Sequence, residues 1–272
     1  MHTAIIMAAP NGARKTHRDH PNLPVSVAET VAEAVRCHAA GATVLHAHVR
    51  GDNEEHVLDP ARYRQLFAAM AAEAPDMLLQ MTTEAVGVYT PPEQAACVYD
   101  LNPEMISMAV REMAGEGADR DEARKFYHWT RDQGVHVQHI VYDDQDLLRL
   151  LALQRDGVIP AGRLCVLFVL GRYLENRESL PSDIDPFLAA KGDVAMDWFV
   201  CAFGSHEHDC ALAAIEAGGH ARVGFENNLL RPDGTTADYT SDQVAALKSA
   251  AESRGHRIAD RGQTVQILGI GS

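Results

Sequence analysis

Apolar residues along this chain occur in short runs, and longer amphipathic stretches separate these runs. Eight of the runs predict buried strands: Ile5–Ala9, Thr43–Val49, Leu78–Thr82, Met105–Val110, Val135–Tyr142, Leu164–Leu170, Ala195–Ala202 and Ala221–Phe225. The stretches between them predict helices over Val25–Ala40, Pro60–Ala74, Asp119–Gln133, Asp144–Asp156, Asp183–Ala190, His208–Ala217 and Ser241–Arg254. Alternating strands and helices of this number predict an α/β protein, a (β/α)8 TIM barrel that forms a single domain over residues 1–272. A doubly wound sheet is the weaker alternative, because no G-x-G-x-x-G follows a strand.

The composition of the chain restricts the kinds of partner that it could bind and the compartment in which it is expected. The net charge of −14 argues against nucleic acid and against an anionic membrane surface, but a local basic pocket could still bind a small anion. The N-terminus has no signal-peptide pattern, and no apolar run reaches the roughly 18–20 residues of a spanning helix. Five cysteines without a C-x-x-C pair predict reduced thiols. We therefore expect a soluble, cytoplasmic protein.

The most informative motif is L-H-A-H-V-R at residues 45–50, inside the second predicted strand. Alternation along a strand places His46, His48 and Arg50 on one face. Two imidazoles on one face can hold a metal ion, and an arginine beside them could hold an anionic substrate. The alternative is that both histidines are ordinary, hydrogen-bonded members of a polar layer in the barrel.

Polar residues end nearly every predicted strand, at the face where barrels of this type carry their active sites. They include Asn11 after strand one, Thr82 and Glu84 after strand three, Ser107 and Glu112 at strand four, Arg172 after strand six, and Arg222, Glu226 and Asn227 at strand eight. Strand eight adjoins strand one in a closed barrel, and strand two is next, so Glu226 is expected within reach of His46 and His48. Two histidines and one carboxylate with an open coordination position form a common catalytic zinc or iron site.

An ordered set of motifs resembles the β-keto acid cleavage enzymes, a family that includes 3-keto-5-aminohexanoate cleavage enzyme. The motifs are P-N-G-A at 10–13, L-H-A-H-V-R at 45–50, Q-M-T-T at 80–83, F-V-L-G at 168–171 and G-G-H-A-R-V-G-F-E-N-N-L at 218–229. The resemblance spans nearly the whole chain. As an ordered set the motifs are far more specific than any one of them.

The resemblance implies a TIM barrel that forms a homotetramer and binds one divalent metal ion, usually zinc. It implies that His46, His48 and Glu226 are the metal ligands, that Arg222 is an active-site arginine, and that Thr82 stands where the family has a substrate-contacting serine. It also implies the reaction, in which a β-keto acid condenses with acetyl-CoA to give acetoacetate and a new acyl-CoA.

Two departures from the family pattern affect the expected chemistry. Arg14 replaces a frequent glutamate, and Asn227 replaces a frequent aspartate that the family is thought to use as a catalytic base. An asparagine side chain cannot take up a proton at neutral pH. Glu84 and Glu112 are extra carboxylates at strand ends, and strand alternation favours Glu84 as the replacement base. The alternative is that each one is paired with a nearby arginine, such as Arg14 or Arg111.

The remaining predictions assign roles to the other polar residues. We expect catalytic roles for Arg222, Thr82, Glu84 and Asn227, and substrate-binding roles for Arg50, Ser107, Arg172 and Asn11. Arg50 could instead form an ion pair inside the barrel, and Arg172 could be a solvated loop residue. A second H-x-H, His206 and His208, is interpreted as a solvated helix start.

Three functions compete at this point. The leading one is a metal-dependent β-keto acid:acetyl-CoA acyltransferase, because a Lewis acid stabilises the enolate that develops when the bond beside a ketone breaks. A metal-dependent hydrolase of the amidohydrolase type also begins with an H-x-H, but the chain lacks the aspartate that such an enzyme needs at strand eight. The third is a non-catalytic barrel that binds a metal or another ligand.

Overall fold

Eight parallel strands close into a barrel in the computed structural model, which describes residues 2–172 and 178–271. The strands are β1 Ile6–Ala8, β2 Val44–Ala47, β3 Leu78–Thr82, β4 Met105–Ala109, β5 His136–Val141, β6 Leu164–Leu170, β7 Met196–Ala202 and β8 His220–Val223. They follow one another around the barrel in chain order, and β8 pairs with β1 to close it. The predicted TIM barrel is therefore confirmed, and each strand overlaps one of the eight apolar runs.

Helices surround the barrel. They are α1 Val27–Ala40, α2 Pro60–Glu73, α3 Pro91–Leu101, α4 Val110–Met113, α5 Arg120–Asp132, α6 Asp144–Arg155, α7 Asp185–Lys191, α8 Glu207–Glu216, α9 Thr240–Ser253 and α10 Arg261–Leu268. Side chains that accept hydrogen bonds from the first-turn amides cap several of these helices. Ser26 accepts a hydrogen bond from the amide of Glu29 at the start of α1, and the Glu29 carboxylate accepts one from the Ser26 amide in return. No helix in the described part of the chain is long and apolar enough to cross a membrane.

The barrel interior is apolar at its amino-terminal end. Side chains such as Ile5, Met7 and Phe199 form a buried cluster there, and Leu268 and Ile270 at the end of α10 pack against it. The Thr264 hydroxyl of α10 lies 2.8 Å from the Thr43 hydroxyl, just before β2. Because this end is filled and covered, only the carboxyl-terminal end of the barrel is left for polar side chains to converge.

The strands β2 and β8 each end two residues before their apolar runs do, and the difference shapes the site. The β2 ladder ends at Ala47, so His48 and Arg50 lie beyond it. The β8 ladder ends at Val223, and Gly224, at φ 148°, begins a turn that carries Glu226. A Cβ on Gly224 would lie only 2.3 Å from the Ala9 carbonyl oxygen. The backbone angle and this close approach together mean that only glycine is tolerated at the start of the turn.

Candidate active site

A cavity opens at the carboxyl-terminal end of the barrel. Its polar lining is His46, His48, Thr82, Glu84, Ser107, Glu112, Arg172, Arg222 and Glu226, and its apolar lining includes Ala109, Ile140, Val169 and Phe203. Seven of the strand ends therefore contribute to one cavity. Among the residues predicted to act in catalysis or binding, Arg50, Asn11 and Asn227 lie outside this lining.

His46, His48 and Glu226 converge at the base of the cavity, as the sequence predicted. Their ligand atoms lie within 4.8 Å of one another, and all three side chains are buried. His46 Nε2 is 3.1 Å from His48 Nε2 and 3.5 Å from Glu226 Oε2. The carboxylate comes from the turn after β8 and not from the strand, but it still reaches His46 and His48 because β8 and β2 flank β1.

A chain of amides fixes the orientation of His46. Its Nδ1 lies 2.7 Å from Gln80 Oε1, opposite it in the β2–β3 ladder. The Gln80 amide nitrogen donates to Gln138 Oε1. Because the Gln80 oxygen can only accept, His46 Nδ1 carries the hydrogen, and the lone pair of its Nε2 faces His48 and Glu226.

Burial sets the protonation of these groups. Burial and the nearby charge of Arg222 lower the pKa of His46 to about 4, and burial with the adjacent His56 lowers the pKa of His48 well below its usual value. Burial alone would raise the pKa of Glu226, but the charge of Arg222 and of its other cationic neighbours outweighs it and the pKa is lowered. At neutral pH the three groups are two neutral imidazoles and a carboxylate, the states in which they bind metal ions.

This donor set fits a divalent metal ion. Glu226 Oε2 is buried and has no hydrogen-bond partner among the described residues, and the lone pair of His46 Nε2 points at the other two ligands. A cation between the three atoms would satisfy all of them. Nitrogen and carboxylate ligands with room for a further ligand are typical of catalytic zinc.

The loop after β1 holds the Glu226 side chain in place. A Cβ on Gly12 would lie 2.5 Å from Glu226 Cγ, so the glycine backbone packs directly against this carboxylate. Lys15 Nζ donates to the Glu226 carbonyl at 2.7 Å. Arg50 donates from Nε to the Gly12 carbonyl at 3.0 Å and from its terminal nitrogens to the carbonyls of Lys15 and Glu54. The arginine therefore fastens this loop, and its predicted contact with substrate stays a prediction.

Asn11 supports the metal-ligand strand from behind. Its amide nitrogen donates to the carbonyls of His48, at 2.8 Å, and Pro24, at 3.1 Å, and its oxygen accepts from the His48 amide at 3.2 Å. The Asn11 side chain is thus committed to the backbone just beyond β2. Its predicted role in substrate binding stays a prediction, and its contacts indicate that it positions His48.

Glu84 enters the cavity from the end of β3, as alternation with Thr82 predicted. Its carboxylate lies 2.5 Å from Arg172 Nη2 and 3.9 Å from His48 Nε2. Burial raises the pKa of Glu84, although the charge of Arg172 opposes the rise. The carboxylate is paired with an arginine, but the partner is Arg172 across the cavity and not Arg14 or Arg111. Arg172 is correspondingly a cavity residue rather than a solvated one.

Glu112 lines the same cavity but is held differently. Its carboxylate accepts from the Ala85 amide and, at 2.7 Å, from the Gln94 amide nitrogen. Burial raises the pKa of Glu112. Arg111 instead pairs with Asp143 and Asp146 on the outside of the cavity. Glu112 therefore anchors the segment that follows Thr83, and only Glu84 of these two carboxylates is directed toward the metal ligands.

Unsatisfied polar atoms surround the base of the cavity. Arg222 donates from Nη2 to Glu226 Oε1 at 3.2 Å and to Cys201 Sγ at 3.4 Å. Its Nε and Nη1, together with Ser107 Oγ, are buried without a partner within residues 2–172 and 178–271. Leaving such groups unpaired costs about 1–3 kcal/mol each, and more when they are charged. The cavity is therefore prepared for an anionic or carbonyl-bearing ligand.

Asn227 points away from the cavity toward a carboxylate that sequence reasoning missed. Its amide nitrogen donates to Glu207 Oε1 at 3.0 Å, and the same oxygen accepts from the Gly224 amide at 2.9 Å. Glu207 is fully buried, and burial raises its pKa to about 8. The interpretation of residues 206–208 as a solvated helix start is therefore wrong at Glu207, because the first turn of α8 packs beneath the turn that carries Glu226.

Asn227→Asp should lower the free energy of unfolding, by about 1–3 kcal/mol at pH 7, because it places a second carboxylate beside Glu207 in a buried site. Wild-type Glu207, with its pKa raised to about 8, already holds a proton that the unfolded chain loses, so the deficit of the variant should grow mainly above about pH 8, where the wild type releases that proton and the new pair retains one. Urea unfolding at several pH values measures this. The double variant Glu207→Gln, Asn227→Asp is the matched control and should recover most of the loss. An Asn227→Asp variant as stable as wild type at the alkaline end would contradict the argument.

His56 is the second residue that the sequence did not reveal. A tight turn over residues 51–55 brings the chain back against β2, and a backbone bridge joins Arg50 to His56. His56 Nδ1 then lies 3.2 Å from His48 Nδ1, and its Nε2 lies 2.8 Å from the Glu84 carbonyl oxygen. The only sequence signal was the run G-D-N-E-E, whose residues favour a turn.

Comparison with known proteins identifies the family. The model of the beta-keto acid cleavage enzyme family matches residues 3–270. The chain belongs to the β-keto acid cleavage enzyme family. This confirms the prediction from the ordered motifs and places the protein among enzymes rather than among non-catalytic barrels. It also removes the basis for the amidohydrolase alternative.

Curated relatives support the assignment along the full chain. The 3-keto-5-aminohexanoate cleavage enzyme of Fusobacterium nucleatum subsp. nucleatum is 28% identical over 275 residues, which cover 99% of each chain. The 3-oxoadipate:acetyl-CoA acetyltransferase of Cupriavidus necator is 26% identical and covers 98% of this chain and 95% of its own. Among solved structures, ObcA in a ternary complex with a C4-CoA adduct and oxalate has a TM-score of 0.74 at 16% identity, over 92% of this chain and 68% of that one. The last likeness concerns the fold alone.

Proposed function

We propose that this β-keto acid cleavage enzyme condenses a β-keto acid with acetyl-CoA and releases acetoacetate and a new acyl-CoA. Relatives bear the names of a 3-oxoadipate:acetyl-CoA acetyltransferase and of a 3-dehydrocarnitine:acetyl-CoA trimethylamine transferase, which supports acetyl-CoA as the co-substrate. The observation that carries the proposal is the convergence of buried, unpartnered Arg222 and Ser107 atoms on a His-His-Glu set inside one cavity.

Each polar residue of the cavity has its own role in the proposed reaction. His46, His48 and Glu226 would hold one divalent ion, proposed to be zinc, which would supply Lewis-acid stabilisation of negative charge on a substrate carbonyl oxygen. Arg222 and Arg172 bind the substrate carboxylate or the developing oxyanion, since a guanidinium matches a carboxylate geometrically. Glu84 removes the proton from the carbon between the ketone and the carboxylate. Thr82 and Ser107 orient the substrate from β3 and β4.

Residues behind the cavity support this arrangement in the proposal. Arg50 and Asn11 hold the loop and the strand that carry the ligands, and Asn227 holds the turn that carries Glu226. A homotetramer of single-domain chains in the cytoplasm is proposed on the family resemblance. Equilibrium sedimentation of the purified protein tests the assembly state.

A panel of β-keto acids tests the reaction. Each acid is incubated with the protein and acetyl-CoA, and acetoacetate and the new acyl-CoA are quantified by mass spectrometry. We expect at least one acid to yield both products in equal amounts, with none formed when either substrate is omitted. Metal binding in the absence of any product across a panel of acidic, basic, polar and apolar side chains would contradict the proposal.

Arg222→Met is expected to lower kcat/KM at least about tenfold, because one charge-assisted contact contributes about 1.5–3 kcal/mol. Steady-state kinetics on the best substrate measures the loss. Arg222→Lys keeps the charge but not the bidentate geometry, and it should recover part of the rate. Zinc content is measured in both variants, since Arg222 also touches Glu226. Unchanged kinetics in Arg222→Met would mean that this arginine has only a structural role, in its ion pair with Glu226.

A further inference from the structure

Hydrogen bonding around His56 has a defined direction. The Glu84 carbonyl oxygen is an acceptor only, so the contact of 2.8 Å requires His56 Nε2 to donate. A neutral imidazole carries one N–H, so His56 Nδ1 then presents a lone pair. That lone pair faces His48 Nδ1 at 3.2 Å. His48 must supply the hydrogen from Nδ1.

The position of this hydrogen determines the state of Nε2, the atom of His48 that would bind the metal ion. With its hydrogen on Nδ1, His48 has a bare lone pair on Nε2, which lies 3.1 Å from His46 Nε2 and 4.0 Å from Glu226 Oε1. Gln80 imposes the same tautomer on His46 from the other side. Both imidazoles are thereby committed, before any cation arrives, to the form that binds one.

We propose that His56 is a positioning residue that fixes the tautomer and ring orientation of His48, and so raises the affinity of the His46–His48–Glu226 set for a divalent cation. The inference rests on the metal site of the proposed function. Hydrogen-bond partners behind metal-binding histidines act in this way, and their loss typically costs about 10–100-fold in metal affinity.

The position of His56 couples three segments. The backbone bridge to Arg50 sets its distance from the β2 histidines, and the bond to the Glu84 carbonyl ties it to the end of β3. Tyr89 packs edge-on to the ring at 6.2 Å between centroids. The residue is 9% exposed, so water does not readily replace its bond to His48. A side chain of the same polarity is therefore needed at residue 56.

Three variants test the inference. His56→Leu removes both hydrogen bonds. His56→Gln keeps a donor and an acceptor, because its amide nitrogen and oxygen can replace the two ring nitrogens. His139→Leu is the matched control, since His139 is also a buried histidine but lies beside Tyr127 on the outer face of the barrel.

Zinc affinity is measured by competition with a chromophoric chelator on the metal-stripped proteins. His56→Leu should weaken zinc binding about 10–100-fold, and His56→Gln should recover most of it. His139→Leu should bind as wild type does. Equal affinity in wild type and His56→Leu would overturn the inference, whereas a wild type that binds no zinc would instead overturn the metal site itself.

Nitrogen-15 NMR of the histidine rings gives a second reading that needs no metal. In the stripped wild type, His48 should carry its hydrogen on Nδ1 and His56 on Nε2. In His56→Leu, His48 should populate the Nε2–H form. A wild-type His48 protonated on Nε2 would overturn the tautomer argument even if zinc binds tightly.

Discussion

The His46→Ala, His48→Ala double variant is expected to fold as a barrel but to lose its divalent ion and its activity. The wild type should contain about one ion per chain, most of it zinc, by elemental analysis of the purified protein. Lewis-acid stabilisation of an enolate contributes several kcal/mol, so kcat/KM should fall at least about 10³-fold in the double variant. Removal of the ion from wild type with a chelator should give the same loss, and added zinc should reverse it.

A control variant separates loss of the ligands from loss of packing. His139→Ala removes another buried imidazole, but one that packs beside Tyr127 on the outer face of the barrel and not in the cavity lining. It should retain zinc and most of its activity, even if its melting temperature falls. Full zinc content in the double variant would remove His46 and His48 from the site, whatever happens to the rate.

The barrel and the metal-binding set could be predicted because they depend on regular geometry. Apolar runs alternating with helices give the eight strands, and closure places β8 beside β1. Because β8 and β2 both pair with β1, Glu226 lies close to His46 and His48, even though it is in a turn and not in the strand. The prediction of their convergence succeeded because the order of strands, and not the exact end of a strand, decides which residues meet.

The rest of the site depends on where each strand stops pairing with its neighbours and the chain turns away from the sheet. Alternation put Arg50 on the face of the two histidines, but β2 ends at Ala47 and the arginine turns to loop carbonyls. His56 reaches the site by its contact with His48, 8 residues away along the chain. Glu207 reaches it by its contact with Asn227, 20 residues away. Such contacts follow from turns and helix packing, which no periodicity in the sequence specifies.

The departure at Asn227 also has a physical context that the sequence could not supply. An aspartate there would face the buried carboxylate of Glu207, whereas the amide of Asn227 donates to it. The amide donates to Glu207 directly, whereas a second acid could do so only while one of the two carboxyl groups holds a proton. The asparagine is therefore consistent with its surroundings, but it leaves the proton transfer of the proposed reaction to another residue.

Glu84→Gln is expected to lower kcat by about 10² to 10⁴, the usual contribution of a positioned general base. Glu84 is the carboxylate of the cavity wall that approaches the metal ligands, at 3.9 Å from His48 Nε2, and Arg172 holds its other oxygen. The glutamine keeps the shape and the contact with Arg172 but cannot accept the proton. Zinc content and the binding of a non-reacting keto acid should therefore stay close to wild type.

Glu112→Gln is the matched control for this prediction. Glu112 lines the same cavity and is comparably buried, but the Ala85 amide and Gln94 occupy its carboxylate. Its conversion to glutamine should change kcat less than about tenfold, because no positioned base is lost. A large loss in Glu112→Gln with little loss in Glu84→Gln would transfer the role of base to Glu112. If both variants keep full kcat, no carboxylate of β3 or α4 replaces the missing aspartate, and the idea of compensation from these strand ends is wrong.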